Sequence, residues 1–180
     1  AIAVEVIKRV CIERVCVESR HNYAPNTHLA VLVQVPHAAG LRVSLDARCD
    51  TKRDRDRLTL YTDALLQTEV AVLHGPCGAS NWAPPPDFSS NTLVIVFESD
   101  ASPGEWGFRL YIEALDSGGL AISVPHVMFE SVAAYTQGLR GKQDIALQAE
   151  EREGAGDSAL HIVFDHAGCS MDAAPPRTSA

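Results

Sequence analysis

The sequence predicts an all-β fold, a two-sheet antiparallel jelly-roll-like sandwich with a mixed C-terminal extension. Two observations carry this. In Thr92-Leu-Val-Ile-Val-Phe-Glu98, residues Leu93, Ile95 and Phe97 share one face. In Gly107–Ala114, Phe108, Leu110 and Ile112 share one face while Arg109, Tyr111 and Glu113 point the other way. That alternation is the period of a half-buried strand. In addition, short runs rich in branched residues recur between clusters of Gly, Pro, Asn and Ser, the pattern of a sandwich or barrel. Pro103-Gly104 suits a turn, so the two central runs are expected to form an antiparallel hairpin whose loop presents acids at one end of the sandwich.

In chain order, residues 1–19 favour one or two strands, because Val and Ile dominate. Arg20–Asn26 is turn chemistry, with Asn and Pro25. Strands are expected at Leu29–Val35, Leu41–Leu45, Leu58–Tyr61 and Glu69–Leu73, with a charged loop from Asp46 to Arg57. Gly75–Asn91, with Pro84-Pro-Pro86, reads as a surface connection. Further strands fall at Leu120–Val124 and Leu160–Phe164. Ser131–Gln137 and Asp144–Glu151 are ambiguous and could each be a helical turn or two, and 173–180 reads as a disordered tail. The organisation expected is a leading strand or strands over 1–16, a sandwich over 17–115, and an extension over 116–180. That extension echoes the start of the chain weakly (Val17-Glu-Ser against Phe129-Glu-Ser) and so reads as an extension or a partial second copy.

The 15 Lys and Arg against 23 Asp and Glu leave a net charge of −8, which argues against nucleic acid or an anionic membrane as partner, since both need a basic face. No apolar run approaches the roughly 18 residues of a membrane span. With no signal-peptide pattern and no starting Met, the sequence is expected to be an excerpt of a longer chain. Five cysteines (Cys11, Cys16, Cys49, Cys77, Cys169) are an odd number and sparse. This favours a cytoplasmic protein over a secreted, disulfide-built one.

Asn22-Tyr-Ala-Pro25, Leu41-Arg-Val-Ser-Leu-Asp46, Cys49, Asp56-Arg-Leu-Thr-Leu60 and Gly75-Pro-Cys-Gly78 form a series along the chain. Asn91–Asp100 and Gly107-Phe-Arg-Leu-Tyr111 complete it. Together they resemble a CUB domain over residues 17–115. Glu18-Ser-Arg-His-Asn-Tyr23 and Trp106-Gly-Phe108 are closer to an intracellular CUB-like branch. That branch sits inside very large multidomain proteins, including a ZZ zinc-finger/EF-hand protein and HECT-type ubiquitin ligases. No ZZ, EF-hand or HECT pattern occurs in this chain.

The resemblance implies a non-enzymatic protein-interaction or scaffold module within a larger assembly. It places Cys49 and Cys77 at the second disulfide pair of secreted members; in the cytosol the same positions are small buried apolar residues. It also places Asp46, Asp56 and Asp100 at the acids that hold calcium in many extracellular members, which makes a secreted calcium-dependent recognition domain the alternative. Against calcium, Arg55 and Arg57 stand beside Asp56 and can neutralise it, and Asp46 and Asp100 can serve as turn caps. The interaction surface is expected around Ser102, Glu105 and Trp106 at the same loop end, with Trp82 a second candidate anchor; Trp106, beside Gly107-Phe108, reads more readily as a residue closing the end of the core.

Two remaining features carry less. Lys52-Arg-Asp-Arg-Asp-Arg57 alternates in sign and reads as a solvated loop rather than a phosphate site. His161, Asp165, His166 and Cys169 have metal-ligand chemistry but match no zinc spacing, and a metal-dependent enzyme built on them is the remote alternative. No Gly-x-Ser-x-Gly elbow, phosphate loop or Cys-x-x-Cys is present.

Overall fold

A computed structural model describes residues 12–130 with their side chains. It describes the backbone alone of Ser131 and of the strands Asp144–Glu151 and Ala159–Ala167. The chain forms two packed sheets. In the first, β1 (Arg14–Ser19) lies beside β7 (Arg109–Leu115), which pairs on its other side with β3 (Gly40–Leu45); the short β8 (Ala121–Ile122) pairs with the end of β7 opposite β3. The second sheet runs in the order β5 (Glu69–Leu73), β4 (Arg57–Tyr61), β6 (Thr92–Glu98), β2 (His28–Gln34), β9 (Met128–Ser131).

Alternation explains the core. Val15, Val17, Leu41, Val43, Leu110 and Ile112 point inward from the first sheet. Leu29, Val31, Val33, Leu58, Leu60, Leu93, Ile95 and Phe97 meet them from the second, all buried. The rings of Phe97 and Phe108 pack 5.1 Å apart at 54°, and Tyr23 meets Phe97 edge-on at 5.0 Å. Such tilted and edge-on contacts suit the aromatic quadrupole.

Two expectations are corrected. The runs around 92–98 and 107–115 are not a hairpin: β6 lies in the second sheet and β7 in the first. Their apolar faces oppose each other across the core, and residues 99–108 carry the chain from one sheet to the other. Period-2 patterning reports a strand's face, not its neighbour. Asp144–Glu151 is β10, a strand and not a helical turn, while residues 132–137 lie outside the described residues. After residue 115 the chain adds strands to both sheets: β9 pairs with β2, and β11 (Ala159–Ala167) pairs with β1 while carrying β10 at the sheet's edge. The β1–β11 pairing is parallel, an exception in otherwise antiparallel sheets.

The crossing segment depends on close backbone approach. Gly107 has φ +98°, and a Cβ there would fall 2.0 Å from Ser19 Oγ. At Gly104 a Cβ would fall 2.2 Å from the Tyr23 carbonyl oxygen. Only glycine fits the first on both conformational and steric grounds. Gly107→Ala is therefore expected to destabilise the fold by about 1–3 kcal/mol, read as a lower urea midpoint. An unchanged midpoint would mean that this segment relaxes freely.

Candidate functional site

The ends of β1, β3 and β6 and the starts of β4 and β7 meet at one end of the sandwich, where Glu18 pairs with Arg109 and Arg57 with Glu98 in strand register. Asp46, Asp56, Asp100, Ser102, Glu105 and Trp106 therefore lie in the loops of this one end. Two side-chain clusters occupy it.

The first is built on Asp56, which is wholly buried. Tyr23 donates its hydroxyl to Asp56 Oδ2 at 2.5 Å, and the backbone N–H of Asp100 donates to Oδ1 at 2.7 Å. Burial, then the bond to Asp56, pushes the Tyr23 phenol above its ordinary value, so it serves as a donor. Asp100 Oδ1 accepts the Ser102 N–H at 2.8 Å and the Ser102 hydroxyl. Those bonds, chiefly the hydroxyl's, hold the Asp100 carboxyl below its ordinary value. Lys52 Nζ donates to Ser102 Oγ at 2.6 Å, and Arg55 stands 3.8 Å from Asp100 Oδ2.

The second cluster surrounds the half-buried Trp106. His21 stacks on its ring at 3.8 Å and 12°. The guanidinium carbons of Arg48 and Arg109 lie 4.8 Å and 5.6 Å from its centroid, within cation–π range. Arg48 binds Asp46 through Nε at 2.9 Å and a terminal nitrogen at 2.7 Å, and Arg109 binds Glu18. His21 Nδ1 faces the Trp106 carbonyl at 2.7 Å, and Nε2 faces Glu18 at 3.0 Å. The Arg48 hydrogen bond holds Asp46 down at about 2. Burial works to raise Glu18, but bonds from His21 and Arg109 outweigh it and hold it below its ordinary value.

The structure brings Asp56, Asp100 and Ser102 together and draws Asp46 away into its arginine pair. Calcium takes six to eight oxygens. Here both oxygens of Asp46 are held by Arg48, both of Asp56 are engaged, and Lys52 and Arg55 stand against Asp100 and its Ser102 partner. Among the described residues no group of three or more His, Cys, Asp or Glu gathers as a metal site. The acids, so arranged, do not fit a calcium ion.

Nor does Asp56 pair with its neighbouring arginines: Arg57 turns to Glu98 at 3.2 Å and Arg55 to Asp100. The run Lys52–Arg57 is thus not wholly solvated, since its fifth residue is buried. Trp82 is a core residue, 6% exposed, with Nε1 donating to the Gly75 carbonyl at 2.9 Å. Cys49 is buried against the Arg109 backbone, as expected of a small apolar residue, but Cys77 is exposed; both are free thiols. His161, Asp165 and His166 lie on β11, where backbone alternation puts His166 opposite the other two; Cys169 lies outside the described residues. Sequence reading missed Tyr23, Lys52, His21 and Arg48, whose partners lie far along the chain or were read as solvent-facing.

These features define an all-β sandwich module with one built loop end. The chain is 34% identical over 104 residues to a segment of the human E3 ubiquitin-protein ligase HERC2, covering 58% of this chain and 2% of that protein. It is 31% identical over 107 residues to a segment of the human zinc finger ZZ-type and EF-hand domain-containing protein 1, covering 59% of this chain and 4% of that protein. The chain thus spans only a small fraction of these relatives. Among solved structures, the CUB1-EGF-CUB2 domain of human MASP-1/3 is similar at 14% identity and a TM-score of 0.49, over 58% of this chain and 42% of that one. No protein-family model matches the chain.

Two outcomes follow from the two clusters. Tyr23→Phe leaves the buried Asp56 short of a donor and is expected to cost about 1–3 kcal/mol in chemical denaturation; no loss would mean that water replaces the hydroxyl. Asp46 is depressed in the folded state, so its contribution is fully present above the unfolded value of about 3.9 and is lost as pH falls through about 2. Asp46→Asn should flatten the fall of stability across that acid window; an unchanged slope would show the ion pair to be energetically silent.

Proposed function

We propose that this chain is a non-catalytic interaction and scaffold module of a much larger protein, and that it grips a protein partner with the loop end around Trp106, Glu105 and Ser102. The observation that carries the reading is Trp106 itself. It is only half-buried, yet held by a stacked histidine and two guanidinium groups. A fixed aromatic ring beside arginine loses little conformational entropy on binding, and both residue types are enriched where interfaces concentrate their energy.

The matches to short segments of HERC2 and of the ZZ-type and EF-hand protein support a module within a large chain. Their wider activities are theirs. The net charge of −8 supports a protein partner over nucleic acid or an anionic membrane. A cytoplasmic, reducing setting is supported by the thiols. Cys16, Cys49 and Cys77 all stand as free thiols, the state that a reducing compartment maintains.

The test is quantitative affinity capture from cell extract with the wild-type chain, Trp106→Ala, and Leu120→Ser as a control. Leu120 is 69% exposed in the turn after β7, at the opposite end of that strand from Trp106. With all three proteins matched for thermal stability, a partner lost with Trp106→Ala and kept with Leu120→Ser is expected. Identical partner sets for the two variants would overturn the reading.

A further inference from the structure

The Asp56 cluster closes on itself in a way that neither calcium nor a solvated loop requires. Starting at Lys52, the backbone N–H points at the Tyr23 hydroxyl at 3.4 Å, and that hydroxyl donates to Asp56. Asp56 accepts the Asp100 N–H, Asp100 accepts the Ser102 hydroxyl, and Ser102 Oγ accepts the Lys52 ammonium at 2.6 Å. The ring therefore begins and ends on one residue, and every hydroxyl in it both accepts one hydrogen bond and donates another. The carboxylates of Asp56 and Asp100 bring two negative charges. Lys52 brings one positive charge from inside the ring, and Arg55, 72% exposed, adds a second from its rim.

A buried carboxylate with a second one beside it needs a compensating cation. We propose that Lys52 is that cation, an internal ammonium that does for this loop end what a bound divalent ion would otherwise do, so that the end is ordered without metal. With the ring already neutral, a divalent ion would have to displace the ammonium and strip its own hydration shell for little gain in charge balance. Removing the lysine leaves Arg55 alone against two carboxylates, one charge short of balance, around the Ser102 and Tyr23 oxygens, a set of hard oxygen ligands.

The experiment is thermal unfolding of metal-stripped protein, with and without millimolar calcium, for the wild-type chain, Lys52→Gln, Lys52→Arg and Ser102→Ala. Expected are no calcium response in the wild-type chain, a lower melting temperature for Lys52→Gln that calcium restores in part, and Lys52→Arg insensitive to calcium. Ser102→Ala keeps the ammonium and should also stay insensitive, so it reports on charge separately from the hydrogen bond. A rise in the wild-type melting temperature with calcium would overturn the proposal. So would a Lys52→Gln protein that is as stable as wild type, or one that is destabilised and gains nothing from calcium. If Lys52→Gln fails to fold without metal, its refolding on addition of calcium supports the proposal and continued failure overturns it.

Discussion

A carboxylate with no exposed surface sets the terms for one whole end of this protein. Asp56 stands at the start of β4, and its two oxygens reach the loop before β2 through Tyr23 and the end of β6 through the Asp100 N–H. Leaving such a group unsatisfied costs far more than satisfying it gains. Every segment that supplies it must therefore arrive in register. The neighbouring mesh shows the same demand: Thr27 and Ser99 exchange backbone and hydroxyl bonds at 2.8 Å, and the Asn26 N–H donates to the Asp100 carbonyl at 2.6 Å. The crossing segment 99–108 is fixed between these bonds and the glycine contacts on Tyr23 and Ser19, and it delivers Trp106 to its place.

The two clusters at this end solve one electrostatic problem differently. Around Asp56 the negative charge is buried and is answered mainly by neutral donors, with ammonium one hydroxyl removed. Around Trp106 the charges are paired directly, Asp46 with Arg48 and Glu18 with Arg109, and the arginines spread over the indole. Arg48 is 60% exposed, so solvent screens much of that pairing. The inner cluster thus secures geometry. The outer one presents chemistry.

The strands were legible because alternation is a local property: Leu93, Ile95 and Phe97 announce a buried face whatever lies beside them. Sheet membership was not legible. The same apolar faces on β6 and β7 serve a hairpin or two opposed sheets equally well, and only the packed core distinguishes them. The site was half legible. Asp56, Asp100 and Ser102 stood out as polar residues at strand ends, and they do meet. The alternating charges of Lys52–Arg57 masked the fact that one of them is buried. Tyr23 sat inside a recognisable motif, but nothing near it in sequence names a partner 33 positions away. His21 and Trp106 are farther apart still, and their stacking depends on the loops that carry them.

The parallel pairing of β1 with β11 also gives the sandwich a mechanical character. Both strands run towards the Trp106 end, so the chain enters β1 at one pole and leaves β11 at the other. Tension applied through the flanking chain would pull these neighbours past each other along their length. Their hydrogen bonds would then share the load at once instead of parting one by one like a zip. A module joined this way into a long polypeptide would meet tension with these bonds loaded in shear.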